Sequence, residues 1–156
     1  MSGKSGFVVR LIRYPARGME AETIQSALFT EGRGIEGDCH AIGGERQLSL
    51  LSGESRAWMK TQTIKGLCFS RFKENITTRG LDLEAIGKGM RLEAGEAVIE
   101  ISGETKHCHE ECPLFSAGMA CRIAGQSLFA KVIKSGEVKT GFTIKTIDQI
   151  SFTRRG

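Results

Sequence analysis

Aromatic side chains are scarce in this sequence of 156 residues, of which they make up only 6%. No apolar run approaches the roughly 18 residues that a membrane-spanning helix needs. The N-terminal stretch is broken by Arg10 and Arg13 and lacks the apolar core of a secretory signal. The sequence also has no block of basic residues and no row of aromatics for stacking bases. We therefore expect a cytoplasmic protein that binds neither a membrane nor nucleic acid.

The cysteines do not form the pattern of a disulfide-stabilised protein. There are five, an odd number, at Cys39, Cys68, Cys108, Cys112 and Cys121. An odd count without a secretory signal argues against a disulfide framework. The sequence also lacks the paired C-x2-C spacing of zinc knuckles, so a zinc site is only weakly indicated.

Glycine, in contrast, is abundant, with 20 residues in the chain. Many glycines in a short chain indicate many tight turns and favour a β-rich fold. The length and the 40% hydrophobic content are typical of one soluble domain over residues 1–156, with 148–156 as a tail. The net charge of +4 is compatible with an anionic small molecule.

Strand patterns dominate the chain, so we predict a mainly β fold, an irregular closed barrel with a few short helices. Ser52 is a predicted N-cap for a helix over 53–61. The apolar residues of 127–134 have a helical spacing and predict a second helix there. Residues 81–87 resemble one helical turn. Strands are predicted over 6–13, 21–29, 47–52, 64–72 and 141–147, with a hairpin over 90–102.

The richest cluster of reactive side chains runs from Gly103 to Cys121. It begins where a predicted strand ends, and loops after strands commonly carry functional residues. Lys106, His107 and His109 flank Cys108, and basic or imidazole neighbours lower the pKa of a thiol. Two glutamates that follow act in the opposite direction.

Four interpretations of this cluster stay open on the residues alone. Cys108 is a nucleophilic or sulfur-carrying thiolate in the first. In the second, three cysteines and a histidine bind structural zinc. In the third, thiolates ligate a softer metal or its cofactor. In the fourth, the cysteines are buried and inert.

A glycine-dense stretch, GIEGDCHAIGGERQ, is a second candidate site. Its backbone N–H groups can converge on an anion, and Arg46 can clamp a phosphate with two hydrogen bonds. Asp38, His40 and Gln47 accompany it. No GK[ST] follows, so this is not a phosphate-binding loop signature. The alternative is a surface turn with one solvated ion pair. Cys39 has no partner in register and is predicted to be structural.

The stretch FKENITTRGLDL is a third candidate, centred on Glu74 and Asn75. In a functional interpretation Asn75, Thr77 and Thr78 donate hydrogen bonds in a pocket. In the alternative this is an edge strand whose polar residues face water. We predict that residues 32–47 and 73–78 converge on 106–112, because a binding site is formed by distant segments.

Taken together, these stretches resemble the MOSC domain, which also forms the C-terminus of molybdenum cofactor sulfurases. The resemblance covers about residues 6–147 and is strongest with small stand-alone members. It is carried by five segments in order: GIEGDCHA, ERQLSLLS, KENITTRGLDL, MRLEAGEAVIEISGETKHCHEEC and SLFAKVIKSGEVKTGFTI.

The resemblance implies a β-barrel and a functional cysteine after the strand that ends in AVIEIS. Cys108 occupies that position. In members with C-x-x-C the later cysteine ligates molybdenum, and since the spacing here is C-x-x-x-C, both Cys108 and Cys112 are candidates. The resemblance also places the segments that carry Asp38, His40, Glu74 and Asn75 in the same pocket.

The function that the resemblance implies is sulfur carriage or binding of the molybdenum cofactor, molybdopterin. Cys108 would carry a persulfide or ligate the metal with help from Cys112, while Lys106 and His109 hold the thiolate. The partner would be molybdopterin itself or a sulfur donor or acceptor protein. The residues expected to bind the pterin and its phosphate are Asp38, His40, Arg46, Gln47, Glu74 and Asn75.

Two alternatives belong to other classes of protein. One is a molybdenum-dependent reductase of N-hydroxylated compounds, which needs a partner that donates electrons. The other is a small zinc-stabilised β-domain that a chelator would unfold. The cysteine desulfurase domain of the long sulfurases is absent, so no pyridoxal phosphate site is expected.

Overall fold

A computed structural model describes residues 4–16, 19–39, 41–44, 46–63, 73–104 and 127–147. Eleven strands are assigned in these residues. They are β1 Ser5–Arg13, β2 Glu22–Ile24, β3 Ser26–Thr30, β4 Gly34–Ile35, β5 Leu48–Ser52, β6 Ile76–Arg79, β7 Arg91–Ala94, β8 Ala97–Glu104, β9 Ser127–Lys134, β10 Gly136–Lys139 and β11 Thr143–Ile147. The helical elements are α1, Gly53–Thr61, and a 3-10 turn, Leu83–Ala85.

Seven of the strands close into a barrel in the order β11, β7, β8, β9, β5, β6, β1. The barrel closes because β1 pairs with β11 antiparallel, with Ser5 opposite Lys145. The pair β5 and β6 is parallel. Strand β2 extends the sheet beyond β1, and β10, β3 and β4 form a separate small sheet. The predicted closed barrel is confirmed.

Side chains on one face of each barrel strand fill the interior. Successive residues of a strand point to opposite faces. In β8 the fully buried Ile99 and Ile101 belong to the core, while Glu100 between them is partly exposed. The same alternation gives Leu48 and Leu50 in β5 to the core. The opposite face of these strands forms the outer wall of the barrel.

The predicted helix over residues 127–134 is wrong, because this segment is strand β9. Leu128, Ala130 and Val132 alternate into the core. Their backbone pairs with β5 on one side and β8 on the other, which satisfies both sets of hydrogen-bonding groups. An apolar spacing of four residues fits a strand as well as a helix. The pairing with β5 and β8 therefore determines that this segment is a strand. Strand β10, which pairs with β3, was not predicted.

The other local predictions agree with the structure where it describes them. Ser52 caps α1 by accepting a 3.0 Å hydrogen bond from the Ser55 backbone N–H. Residues 91–104 form the predicted hairpin, and Gly95 provides the turn with a φ of 59°. The predicted turn over 81–87 is the 3-10 turn.

The predicted strand over 64–72, the cysteine stretch 105–126 and the tail 148–156 lie outside the described residues. What the sequence predicts for these segments therefore stays a prediction. Across the part of the chain that is described, no helix is both long enough and apolar enough to cross a membrane.

Candidate functional site

The candidate site residues divide into two groups according to the described ranges. Lys106, Cys108, His109, Cys112 and His40 lie outside the described residues, and their predicted roles stay predictions. The structure describes the remaining candidates, which are Asp38, Arg46, Gln47, Glu74 and Asn75. It brings together some of these and separates others.

Asn75 fastens three segments of the chain to one another. Its side chain is 1% exposed and donates to the Ile12 carbonyl at 3.0 Å and to Asp38 Oδ1 at 3.2 Å. Its Oδ1 accepts a 3.1 Å hydrogen bond from the Ser49 backbone N–H. Both ends of the amide are therefore engaged in holding β1, β5 and the glycine-dense loop. We call Ile12, Asp38, Ser49 and Asn75 the Asn75 clasp.

Asp38 is buried, so the interpretation of its loop as a surface turn with a solvated ion pair is wrong. The carboxylate accepts from the Tyr14 backbone N–H at 2.8 Å as well as from Asn75. The loop turns back at Gly37, whose φ of 88° favours glycine. The stretches 32–47 and 73–78 thus meet as predicted, while their convergence on 106–112 stays a prediction.

Gln47 and Arg46 lie next to each other but have different environments. Gln47 is buried, donates to the Gly44 carbonyl at 2.9 Å and accepts from the Val132 N–H at 2.8 Å. Its side chain thereby ties the loop to β9. Arg46 is exposed, and its guanidinium carbon lies 4.4 Å from the centre of the Phe129 ring. That contact is a cation–π interaction on the outer wall.

Glu74 holds a buried negative charge under helix α1. Its side chain is 2% exposed, and the carboxylate accepts two hydrogen bonds from Arg56, from Nη2 at 2.6 Å and from Nε at 3.0 Å. Thr77 donates to the same carboxylate at 3.2 Å. A two-fold arginine–carboxylate pair is strong and fixed in orientation. Hydrogen bonding to Glu74 raises the pKa of Arg56, so this arginine stays charged.

Arg10 and Tyr14 complete this group. We call its five members the Glu74 cluster: Arg10, Tyr14, Arg56, Glu74 and Thr77. Arg10 Nη2 lies 3.9 Å from Glu74 Oε2. The Tyr14 hydroxyl donates to the Glu74 backbone carbonyl at 3.0 Å. Burial, followed by the negative charge of Glu74, raises the pKa of Tyr14 from 10.0 to about 12. Tyr14 is therefore a neutral hydrogen-bond donor at physiological pH.

Sequence reasoning missed Arg10, Tyr14 and Arg56 as site residues. Arg56 lies 18 residues from its partner Glu74, and helix and strand periodicities do not connect them. A cation in a helix that follows a buried strand was the only signal. Its pairing with Glu74 depends on the parallel contact of β5 with β6, which puts α1 beside β6.

The Glu74 cluster lies on the outer wall of the barrel. Arg10 of β1 is paired with Thr77 of β6, and Thr77 with Leu51 of β5. These side chains point away from the core face that carries Ile76 and Leu50. The interpretation of this stretch as an edge strand is wrong, because β6 lies between β1 and β5 and Thr77 and Thr78 are buried.

The last described residue before the cysteine stretch lies in the row of paired residues in which β6 begins. Glu104, the last residue of β8, is paired with Leu128, which is paired with Leu50, which is in turn paired with Ile76. The Glu74 cluster begins two residues before Ile76. Its charges, two arginines against one carboxylate, favour an anion on this wall.

The described residues contain no group of three or more His, Cys, Asp or Glu side chains that could hold a metal ion. Cys39 is partly buried, and its backbone N–H donates to the Tyr14 carbonyl at 2.7 Å. That hydrogen bond does not involve the thiol, so the structural role of Cys39 stays a prediction. The other four cysteines lie outside the described residues, so metal ligation by Cys108 and Cys112 stays a prediction.

Comparison with known proteins gives one family and several solved structures. The family model of the MOSC domain matches residues 37–145. The YuaD protein of Bacillus subtilis superposes with a TM-score of 0.70 at 20% identity, over 94% of this chain and 98% of that one. No match was found among curated proteins.

Two structures of YiiM are also similar. The protein from Geobacillus stearothermophilus has a TM-score of 0.62 at 14% identity, over 92% of this chain and 75% of that one. The protein from Escherichia coli has a TM-score of 0.57 at 19% identity, over 91% and 70%. At these identities the structures establish a shared fold.

Proposed function

The chain belongs to the MOSC domain family, and from this premise and the Glu74 cluster we propose that it binds the molybdenum cofactor or carries sulfur through Cys108. The MOSC domain is generally linked to these two related activities. Both need a reactive thiol beside a surface that accepts an anionic partner. The outer wall of the barrel supports the second requirement, and the sequence around Cys108 supports the first.

The observation that carries the proposal is the row of paired residues from Glu104 to Ile76. Cys108 follows Glu104 by four residues, and four residues span at most roughly 14 Å. Three strand spacings, about 14 Å in all, separate Glu104 from Ile76 along this row, so a segment of four residues is long enough to reach the wall that carries the Glu74 cluster. We propose that this wall and the segment that follows β8 together form the binding site.

The described residues fit the anionic part of molybdopterin. Glu74 is neutralised by its two hydrogen bonds from Arg56, so the charge of Arg10 is available to an anion. The Tyr14 hydroxyl stays protonated because its pKa is about 12, so this tyrosine adds no negative charge. When bound, the cofactor would supply a redox-active molybdenum centre suited to soft thiolate ligands.

Cys108 would act as a thiolate, activated by Lys106 and His109 on either side. In sulfur transfer the thiolate attacks the outer sulfur of a donor persulfide. The new S–S bond forms as the donor S–S bond breaks, and the donor leaves as a thiolate. Sulfane sulfur moves without a net change of oxidation state, so no outside oxidant is needed. Cys112 would assist or supply a second ligand.

The test is elemental and sulfane-sulfur analysis of protein purified without oxygen. Molybdenum, pterin fluorescence and sulfur released by cyanide are measured per chain in the wild type, C108S, C112S and the matched control C39S. We expect molybdenum with pterin, or sulfane sulfur, in the wild type and in C39S. Loss in C108S assigns the thiol to Cys108, and loss only in C112S assigns it to Cys112.

The remaining outcomes separate the alternatives. Molybdenum together with turnover of N-hydroxylated compounds, supported by an electron-donating partner, would show that the protein is a reductase and not a carrier. Stoichiometric zinc and unfolding by a chelator would establish the zinc-stabilised domain and overturn the proposal. Absence of molybdenum, pterin and sulfane sulfur from protein produced with all three available would overturn it as well.

A further inference from the structure

An irregularity in β1 places Arg10 on the outer wall. Val8 is paired with Thr78 and Arg10 with Thr77, so β1 has one residue more than β6 at this point. This is a β-bulge, which re-aims side chains and is frequent beside active sites. Val8 and Leu11 are both fully buried in the core although they are three residues apart. Without the bulge, Arg10 would share the inward face of Val8.

The charge of Arg10 is only loosely compensated. Its side chain is 45% exposed, and its approach to Glu74 is 3.9 Å, which is beyond hydrogen-bond distance. The oxygens of Glu74 are already occupied by Arg56 and Thr77. Arg56 therefore acts as the partner of Glu74, and Arg10 presents its guanidinium to the outside.

Lys73 provides a second cation next to the same group. It precedes Glu74, is exposed, and its Nζ lies 5.9 Å from the centre of the Tyr14 ring. The Tyr14 hydroxyl donates to the Glu74 backbone carbonyl and the Tyr14 backbone N–H donates to Asp38 Oδ1, so both acidic residues lie next to this tyrosine. The two carboxylates are buried and accept hydrogen bonds from protein donors. Arg10 and Lys73 are thus the most exposed charged groups of this surface, while Arg56 is 25% exposed and paired with Glu74.

From this arrangement we infer that Arg10 and Lys73 form a binding site for a phosphate-type oxyanion. A guanidinium offers a planar set of donors that matches phosphate, and an ammonium adds a mobile charge. The site deepens the proposed function, on which it rests for the identity of the ligand, the phosphate of a pterin cofactor. The sequence predicted this anion-binding role for Arg46. Because Arg46 stacks on the Phe129 ring, we assign the role to Arg10 instead.

The test uses inorganic phosphate and phenyl phosphate as probes and measures binding by calorimetry and by 15N-detected shifts of the arginine side chains. The variants are R10Q, R10K, K73Q and R46Q, with R33Q as the matched control in an exposed turn. We expect R10Q to weaken binding of both probes by about tenfold or more, as for loss of a charge-assisted hydrogen bond. K73Q should weaken binding less, R10K should fall between wild type and R10Q, and R33Q should leave it unchanged.

Several results would overturn the inference. These are unchanged affinity in R10Q, an equal loss in R33Q, or a loss confined to R46Q. Binding of inorganic phosphate with exclusion of phenyl phosphate would assign the site to the free ion and rule out a phosphate ester. Thermal unfolding of each variant confirms that the fold is retained.

The two proposals fail separately. Phosphate binding that depends on Arg10, in a protein that never acquires molybdenum, pterin or sulfane sulfur, would leave the oxyanion site standing and overturn the cofactor function. Cofactor or sulfur on Cys108, together with phosphate binding that is unchanged in R10Q, would support the cofactor function and overturn the oxyanion site. Probe affinity is measured on the protein without its cofactor, so the result does not depend on loading.

Discussion

Glu74 and Asn75 are neighbours in the chain, yet they belong to two regions with different tasks. The Asn75 clasp consists of buried hydrogen bonds, most of them to backbone groups of separate segments. The Glu74 cluster consists of charged side chains, one of which reaches 45% exposure. The clasp fixes where the segments lie, and the cluster fixes which charges face outward. A single tetrapeptide, ENIT, thus serves both the fold and the site.

The comparison explains why a polar stretch is buried in the barrel wall. A buried polar group is costly unless it is hydrogen-bonded, and each of these two side chains is supplied with partners. The clasp is a structural device whose loss affects stability. The cluster is maintained by the Arg56–Glu74 pair, so that Arg10 remains available to a ligand. Substitutions can separate these effects.

The largest effect is expected for Asn75→Ala. The substitution removes three buried hydrogen bonds, which join the Asn75 side chain to the Ile12 carbonyl, the Ser49 N–H and Asp38. We expect the free energy of unfolding to fall by about 3–4 kcal/mol, measured by urea denaturation. Gln25→Ala, at an exposed residue between β2 and β3, is the control and should cost under about 0.5 kcal/mol. An equally small loss of unfolding free energy in both variants would show that the Asn75 clasp does not stabilise the fold.

A smaller effect is expected for Glu74→Gln. The substitution leaves Arg56 with a weaker partner, but its side chain is 25% exposed and can reach water. We expect a loss of about 2–3 kcal/mol in unfolding free energy. In the double variant with Arg56→Met the losses should not add, and the coupling energy should be about 1–2 kcal/mol. Additive losses would show that the pair does not act as a unit.

Tyr14 gives the comparison a pH dependence. Its pKa is raised from 10.0 to about 12 in the fold, so the fold favours the protonated phenol. This contribution is fully present below pH 10 and is lost as the pH rises through 12. We expect wild-type stability to fall by about 2 kcal/mol more than that of Tyr14→Phe over this range. If the unfolding free energies of the two proteins changed equally with pH, the raised pKa of the Tyr14 hydroxyl would be contradicted.

The smallest effect is expected for Arg46→Ala. The guanidinium contacts Phe129 at an exposed position, where cation–π interactions contribute about 0.5–1 kcal/mol. We expect a loss of stability in that range by thermal unfolding and no change in phosphate affinity. A large loss of phosphate affinity would return the anion-binding role to Arg46 and contradict the assignment to Arg10.

The sequence predicts the barrel well, because glycine turns, alternating strands and the Ser52 cap are local signals. It fails at 127–134, where the pairing of Leu128 and Ala130 with two neighbouring strands outweighs the apolar spacing. Asp38, Glu74 and Asn75 could be selected as motif residues, but their burial could not, since it depends on contacts between distant segments. Arg56 has no local signal for its pairing with Glu74.

The central proposal is that Cys108 acts beside the wall that carries Arg10. The most direct measurement is the pH dependence of its alkylation by limiting iodoacetamide, read by peptide mass in the wild type, Arg10→Gln and Arg33→Gln. A nearby cation stabilises a thiolate, so Cys108 should be labelled first and its apparent pKa should rise in Arg10→Gln alone. Faster labelling of Cys39 or Cys68, or identical profiles in all three proteins, would contradict the claim.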